Sequence, residues 1–274
     1  RLRSLWRTTG YMRLDELRRL YDEYVDTYRE EGGALPSMMQ LKRAHTGFVV
    51  KNATLIADGE GFDDLTREVA LSAALLHDTG RYEQLKRFNT FKDSDSVDHA
   101  VFSHDIVKEK GWLAKVGSPR EDAMLAAVLY HNRRDLPDGL DPVTLAASHT
   151  VRDADKLDIF RVLQHEIANT DWRKDSRAFW NLSTTLPPNP VVVECIENRR
   201  PVDYQNIKSL SDFVMIQVGW MVSGLHFATT RRLCAERGHL EYRRRFLHEL
   251  TDDPSIDRVC DLAAKELDAE QRKG

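Results

Sequence analysis

The stretch LSAALLHDTGR, residues 71–81, decides both the fold class and the chemistry expected of this chain. Six apolar or small residues, typical of a buried helix, lead directly into His77 and Asp78. Gly80 predicts that this helix ends in a left-handed cap, so that the backbone turns sharply just after the carboxylate. Because neighbouring helical residues project about 100° apart, His77 and Asp78 can reach one ion only at such a helix end.

Two other segments place metal-ligand side chains on apolar helix faces. His45 shares a face with Phe48 and Val49 in the helix predicted before residues 71–81. Asp155 lies in RDADKLDIF, where Ala154 and Leu157 indicate a core-facing segment. Four ligands, from His45, His77, Asp78 and Asp155, leave positions open for water and substrate, as a catalytic metal site requires.

Two more histidines, His99 and His131, can hold a second ion if Asp78 bridges the two positions. Imidazole nitrogen and carboxylate oxygen together suit Mn, Fe, Co, Ni, Zn and, less well, Mg. The sequence therefore predicts a divalent metal cofactor of one or two ions. A single histidine on an apolar helix face is more often an ordinary core residue than a metal ligand. The order of the whole set along the chain favours a metal site over that alternative.

Composition and charge describe an ordinary soluble protein of 274 residues with 41% hydrophobic residues. A net charge of -4 gives no strong nucleic-acid signal, and three scattered cysteines predict neither a zinc knuckle nor a disulfide framework. The opening residues lack the apolar core of a signal peptide, and the chain does not begin with Met, so a few residues can precede it. The most apolar stretch, 213–228, is shorter than the roughly 20 residues of a membrane span. We expect a cytoplasmic protein without membrane contact.

The periodicity is helical almost throughout, which predicts an all-α fold. The one plausible strand, VVVEC, is better read as a buried helix turn. We expect one domain over 1–274, with a metal-binding body at about 35–170 and a C-terminal helical extension at about 187–274. The proline-rich stretch 184–193 is the candidate boundary between them.

Local signals give helix boundaries that the structure can test. Ser37 suits the N-cap of a helix that ends at Gly59. Residues 81–96 predict an irregular loop or short turn, and Ser209 to Arg237 predict one long helix.

The helix-borne His45, the segment LLHDTGR and the segment DADKLD resemble the HD-domain superfamily of metal-dependent phosphohydrolases. The similarity in motif order runs from about Leu35 to Leu163, and a looser one to uncharacterised HD hydrolases continues into the later helices. The resemblance implies an HD-domain helical bundle with additional C-terminal helices.

The resemblance also implies roles for particular residues. The ligands of the principal metal are His45, His77, Asp78 and Asp155, and those of a second metal are His99 and His131. His104, five residues past His99, fits the ligand pattern less well and is expected to be a pocket residue or proton donor. Some relatives have an acidic residue three positions after the metal aspartate. This chain has Arg81 there, which weakens a 5′-nucleotidase or alarmone-hydrolase assignment.

The expected substrate is a small phosphorylated molecule, a nucleotide or a sugar phosphate. Lys156 and Arg81 are the first candidates for phosphate contact and for catalysis beside Asp78 and His104. Arg87, Arg133 and Arg134 follow, because a guanidinium can clamp phosphate through two parallel bonds. Two alternatives stay open: a diiron oxygenase with the same six ligands, and a degenerate HD domain that binds a nucleotide as a sensor. The apolar C-terminal helices can also close a homodimer.

Overall fold

The computed structural model describes residues 2–174, 179 and 181–271. Within these ranges the chain is helical, with an isolated bridge between Ser183 and Ser209 and no β-strand, which confirms the all-α prediction. The α-helices are α1 Leu2–Asp26, α2 Ser37–Gly59, α3 Asp64–Leu76, α4 Gly80–Phe88, α5 His99–Lys110, α6 Trp112–Lys115, α7 Glu121–Tyr130, α8 Pro142–Asn169, α9 Pro190–Glu197, α10 Leu210–Gly219, α11 Ala228–Glu236, α12 His239–Leu250 and α13 Ser255–Gln271.

The chain divides by its internal contacts into two compact units, residues 1–158 and 159–274. The division lies within α8 and not at the proline-rich stretch 184–193. The expectation of a single domain with a C-terminal extension stays a prediction. VVVEC lies in α9, as a helix turn and not as a strand.

Helix α3 lies at the centre of the first unit and delivers the histidine-aspartate pair. Every residue from 68 to 76 is buried, and α3 packs against α1, α2 and α7. The helix begins at Asp64, and the Asp63 carboxylate caps it by accepting a hydrogen bond from the Thr66 amide. A helix buried all round its surface fixes the position of the residues at its end.

The prediction of a left-handed cap at Gly80 is wrong. Helix α3 ends at Leu76, and Gly80, whose φ is not positive, begins α4. Its N–H donates to the Ser103 hydroxyl at 2.8 Å, and a Cβ at this position would lie 2.7 Å from the Ser103 backbone nitrogen. Glycine is therefore required here for the close approach of α4 to α5.

Two further boundaries differ from the sequence prediction around the site. Residues 80–88 form helix α4 where a loop was expected, because the polar stretch still buries Tyr82 and Gln84. Ser37 is the first residue of α2, and Pro36 precedes it without a side-chain cap.

In the second unit, the predicted long helix from Ser209 to Arg237 is interrupted. It consists of α10, a π turn over Trp220–Gly224, an extended Leu225 and then α11. Ser209 and Asp212 form a capping box at its start. Helix α13 packs against α9, α10, α11 and α12. Among the described residues no helix combines the length and apolar character needed to cross a membrane.

Candidate metal centre

Six of the predicted ligands converge inside the first unit. Their positions on the helices differ. His45 lies in the middle of α2 and Asp155 in α8, whereas His99 is the first residue of α5. His77 and Asp78 follow α3, and His131 follows α7. Asp155 is half-buried. The other five are buried, namely His45, His77, Asp78, His99 and His131.

One group that can hold a metal ion, the first metal position, consists of His45, His77 and Asp155, whose candidate ligand atoms lie within 4.8 Å of one another. The Asp155 Oδ1 atom is 3.1 Å from His45 Nε2 and 3.9 Å from His77 Nε2. Asp78 Oδ2 closes the group at 3.7 Å from His45 Nε2 and 3.6 Å from His77 Nε2. The candidate ligands of this position thus come from α2, from α8 and from the two residues that follow α3.

A second group that can hold a metal ion, the second metal position, consists of His99, His131 and the other oxygen of Asp78. Asp78 Oδ1 is 3.7 Å from His99 Nε2 and 3.8 Å from His131 Nε2, and the two Nε2 atoms are 3.0 Å apart. Asp78 therefore directs one oxygen to each histidine pair, as a carboxylate that bridges two ions does.

The outward nitrogens of all four histidines have acceptors, which orients every Nε2 inward. His45 and His99 hydrogen-bond through Nδ1 to the carboxylates of Asp158 and Asp93. The Nδ1 atoms of His77 and His131 contact the Ala74 and Val128 carbonyls at 2.8 and 2.7 Å. Such partners fix the tautomer and the ring orientation of metal-binding histidines.

The donor set fits divalent metal ions. His77 Nε2 is buried without a hydrogen-bond partner, which is costly unless another species binds it. Burial lowers the pKa of His77, and burial with the charges of His99 and His77 lowers the pKa of His131 to about 3. These imidazoles are therefore neutral at ordinary pH, the form that binds metal.

Charge at the centre favours an ionised bridge. Burial opposes ionisation of Asp78, but Lys42, His77 and Arg81 hold its pKa well below the ordinary value. Burial and Lys42 lower the pKa of His45, yet Asp155 and Asp158 outweigh them and leave it raised.

Three residues that contact the candidate ligands were not predicted from the sequence. Lys42 Nζ lies 2.7 Å from Asp78 Oδ2, and Asp158 Oδ2 lies 2.6 Å from His45 Nδ1. Asp93 contacts His99. Helical spacing could have found two of them, because Lys42 precedes His45 by three residues and Asp158 follows Asp155 by three. Asp93 lies in a loop turn and has no periodic signal.

Of the two first candidates for phosphate contact, Arg81 lies near a candidate ligand and Lys156 is next to one in the chain. Arg81 Nε is 3.5 Å from Asp78 Oδ1, while its Nη1 donates to Gln84, to the Phe91 carbonyl and to Asp93. Lys156 follows Asp155 in α8, and burial lowers its pKa to about 8.

The other predicted residues make contacts of a different kind. Arg87 is exposed and pairs with Glu83, and Arg133 pairs with Asp98, the residue that caps α5. Arg134 lies beside Asp135, with both side chains exposed. His104 pairs with Asp105. No described contact joins Arg87, Arg133, Arg134 or His104 to a ligand, and their roles stay predictions.

The comparison with protein families agrees with this geometry. Residues 43–159 match the model of the HD domain. The chain carries an HD domain. The matched range begins two residues before His45 and ends one residue after Asp158, so it contains all six ligands of the HD domain site. Neither the curated proteins nor the solved structures gave a significant match.

Membership in this family limits the chemistry. HD domains bind divalent metals and typically act as metal-dependent phosphohydrolases, although some are not hydrolytic. The described residues of the HD domain include His and Asp groups that can hold a metal, as the family requires.

Proposed function

We propose that this HD domain is a metal-dependent phosphohydrolase that cleaves a phosphoester or phosphoanhydride of a small molecule, a nucleotide or a sugar phosphate. The observation that carries the proposal is Asp78, whose two oxygens face two separate histidine pairs while Lys42 and Arg81 lie against the same carboxylate. A bridging carboxylate supports a two-ion site, and adjacent cations suit an anionic substrate.

Six residues would bind the two ions, and three cations are candidates for contact with the substrate. His45, His77, Asp155 and Asp78 would hold the first ion, and His99, His131 and Asp78 the second. When bound, divalent ions supply Lewis acidity toward phosphoryl oxygens and lower the pKa of water. Lys42 Nζ, 2.7 Å from Asp78 Oδ2, balances the negative charge of the centre and is our leading candidate for a phosphoryl contact. Arg81 and Lys156 remain candidates for the same role.

The test is a phosphatase screen over nucleotides and sugar phosphates with Mn²⁺, Co²⁺, Ni²⁺ and Mg²⁺, together with measurement of bound metal. We expect phosphate release that requires metal and is lost in Asp78→Ala. Asp58→Ala is the matched control, because this exposed carboxylate at the end of α2 pairs with Arg67 and contacts no ligand. Oxygen consumption by the iron-loaded protein without phosphate release would favour the oxygenase instead. Nucleotide binding without bound metal would favour a sensor.

We also propose that the protein is cytoplasmic and that its apolar C-terminal helices form a homodimer. The small phosphorylated substrate is the partner that the charge of the site supports, and its identity is an outcome of the screen.

A further inference from the structure

The loop between α4 and α5 contacts the second metal position through one carboxylate. Asp93, in the 3-10 turn Asp93–Asp95, accepts a hydrogen bond from His99 Nδ1 through Oδ2. The same oxygen lies 3.3 Å from the His99 backbone nitrogen. Asp93 therefore fixes both the ring and the start of the helix that carries it.

The other oxygen of Asp93 is held from the opposite side by α4. Oδ1 accepts from Arg81 Nη1 at 2.9 Å and from Gln84 Nε2 at 3.1 Å. Gln84 is fully buried and also donates to the Ser96 hydroxyl and the Val97 carbonyl. These hydrogen bonds hold the loop against α4 at several points. Asp93 is the residue of the loop that also contacts a candidate ligand, His99.

The first metal position has a separate support. His45 is oriented by Asp158, which is buried in α8, and no described contact joins Asp93 to His45, His77 or Asp155. The two carboxylates, Asp93 and Asp158, therefore each act on a different position.

We propose that Asp93 is a positioning residue that sets the affinity of the second metal position, and that Gln84 holds it in place. This inference rests on the proposed two-ion site. Outer partners of metal-binding histidines typically change metal affinity by about 10- to 100-fold. Because the second position has two histidines and a shared carboxylate, it depends strongly on the orientation of His99.

The experiment is a Mn²⁺ titration of the whole chain without substrate. Equilibrium dialysis measures the bound ions, and electron paramagnetic resonance detects the coupled ion pair. Asp93→Asn keeps one acceptor oxygen for His99, but it removes the charge and places an NH2 donor where Oδ1 accepts from Arg81 and Gln84. We expect it to weaken the second ion by about 10- to 100-fold and leave the first unchanged, so that the coupled signal appears only at higher Mn²⁺. Gln84→Leu should shift the second ion in the same direction by a smaller factor. Asp95→Asn is the matched control, because this exposed carboxylate of the same turn pairs with Lys92.

A double-mutant cycle separates positioning from general damage to the fold. In the His131→Ala background, which removes a ligand of the second position, Asp93→Asn should have no further effect on the first ion. Equal weakening of both ions, or an unchanged second ion in Asp93→Asn, overturns the inference and leaves the proposed function standing. Binding of a single ion by the wild type also overturns it. Binding of no ion overturns the proposed function as well.

Discussion

The two metal positions are built from different parts of their helices. The first has two of its ligands inside helices, His45 in the middle of α2 and Asp155 in α8, beside His77 at the end of α3. The second uses helix ends and a loop, with His99 at the start of α5, His131 after α7 and Asp93 in the turn between α4 and α5. Side chains inside packed helices are held by the core, whereas helix ends depend on individual hydrogen bonds and open more readily. We expect the first position to bind its ion more tightly.

Substitution of Asp78, which both positions share, should affect both metal positions at once. Asp78→Ala deprives both positions of an oxygen, so we expect loss of both ions and of phosphatase activity. The loss should exceed the roughly 10- to 100-fold effect of changes outside the ligand set. Metal analysis and turnover of the same preparation check this. If one ion stays bound with its wild-type affinity, Asp78 is not the bridge.

Asp158→Asn should act on the first position alone. The change removes the charge that orients His45, and we expect about 10- to 100-fold weaker binding of the first ion. Calorimetric titration with Mn²⁺ resolves the two binding events, and Asp93→Asn gives the opposite pattern. If Asp158→Asn weakened the binding of only the second ion, Asp158 would not be the separate support of the first position.

Gly80→Ala should disturb the packing of α4 against α5, the helix whose first residue is His99. An added Cβ meets the Ser103 backbone, so α4 and α5 must separate, at a cost of about 1–3 kcal/mol. Thermal unfolding should show a melting temperature lower by roughly 2–4 °C for each kcal/mol. Gly47→Ala, on the exposed face of α2 where a Cβ meets nothing within 4 Å, is the control. An unchanged melting temperature for Gly80→Ala would contradict the close approach of these helices.

Lys42→Met should have the smallest effect of these changes, and the effect should be on substrate binding. Loss of one charge-assisted hydrogen bond to phosphate, roughly 1.5 kcal/mol, predicts a KM about tenfold higher. Bound metal should not decrease, and Lys51→Met, an exposed lysine of the same helix, should match the wild type. A fall in metal content without a change in KM would mean that Lys42 supports Asp78 and does not meet the substrate.

The helices that were predicted correctly carry strong local signals. Apolar helical periodicity located α2, α3 and α8, and the convergence of His45, His77, Asp78 and Asp155 agrees with their order in the chain. The loop after Gly80 was predicted wrongly because α4 is polar by sequence, and its burial of Tyr82 and Gln84 depends on neighbours that are distant in the chain. Tertiary burial overrides local propensity in such segments.

The sequence by itself determined the fold class, the six ligand types and the family, because helical periodicity and motif order are properties of the chain. Only the tertiary structure decided which oxygen of Asp78 faces which histidine pair, and which carboxylates support His45 and His99. These contacts join residues far apart in sequence or in irregular turns, where no periodic pattern records the distance between two side chains. The sequence determined which candidate ligands are present, and packing determined how they divide into two groups that can each hold a metal ion.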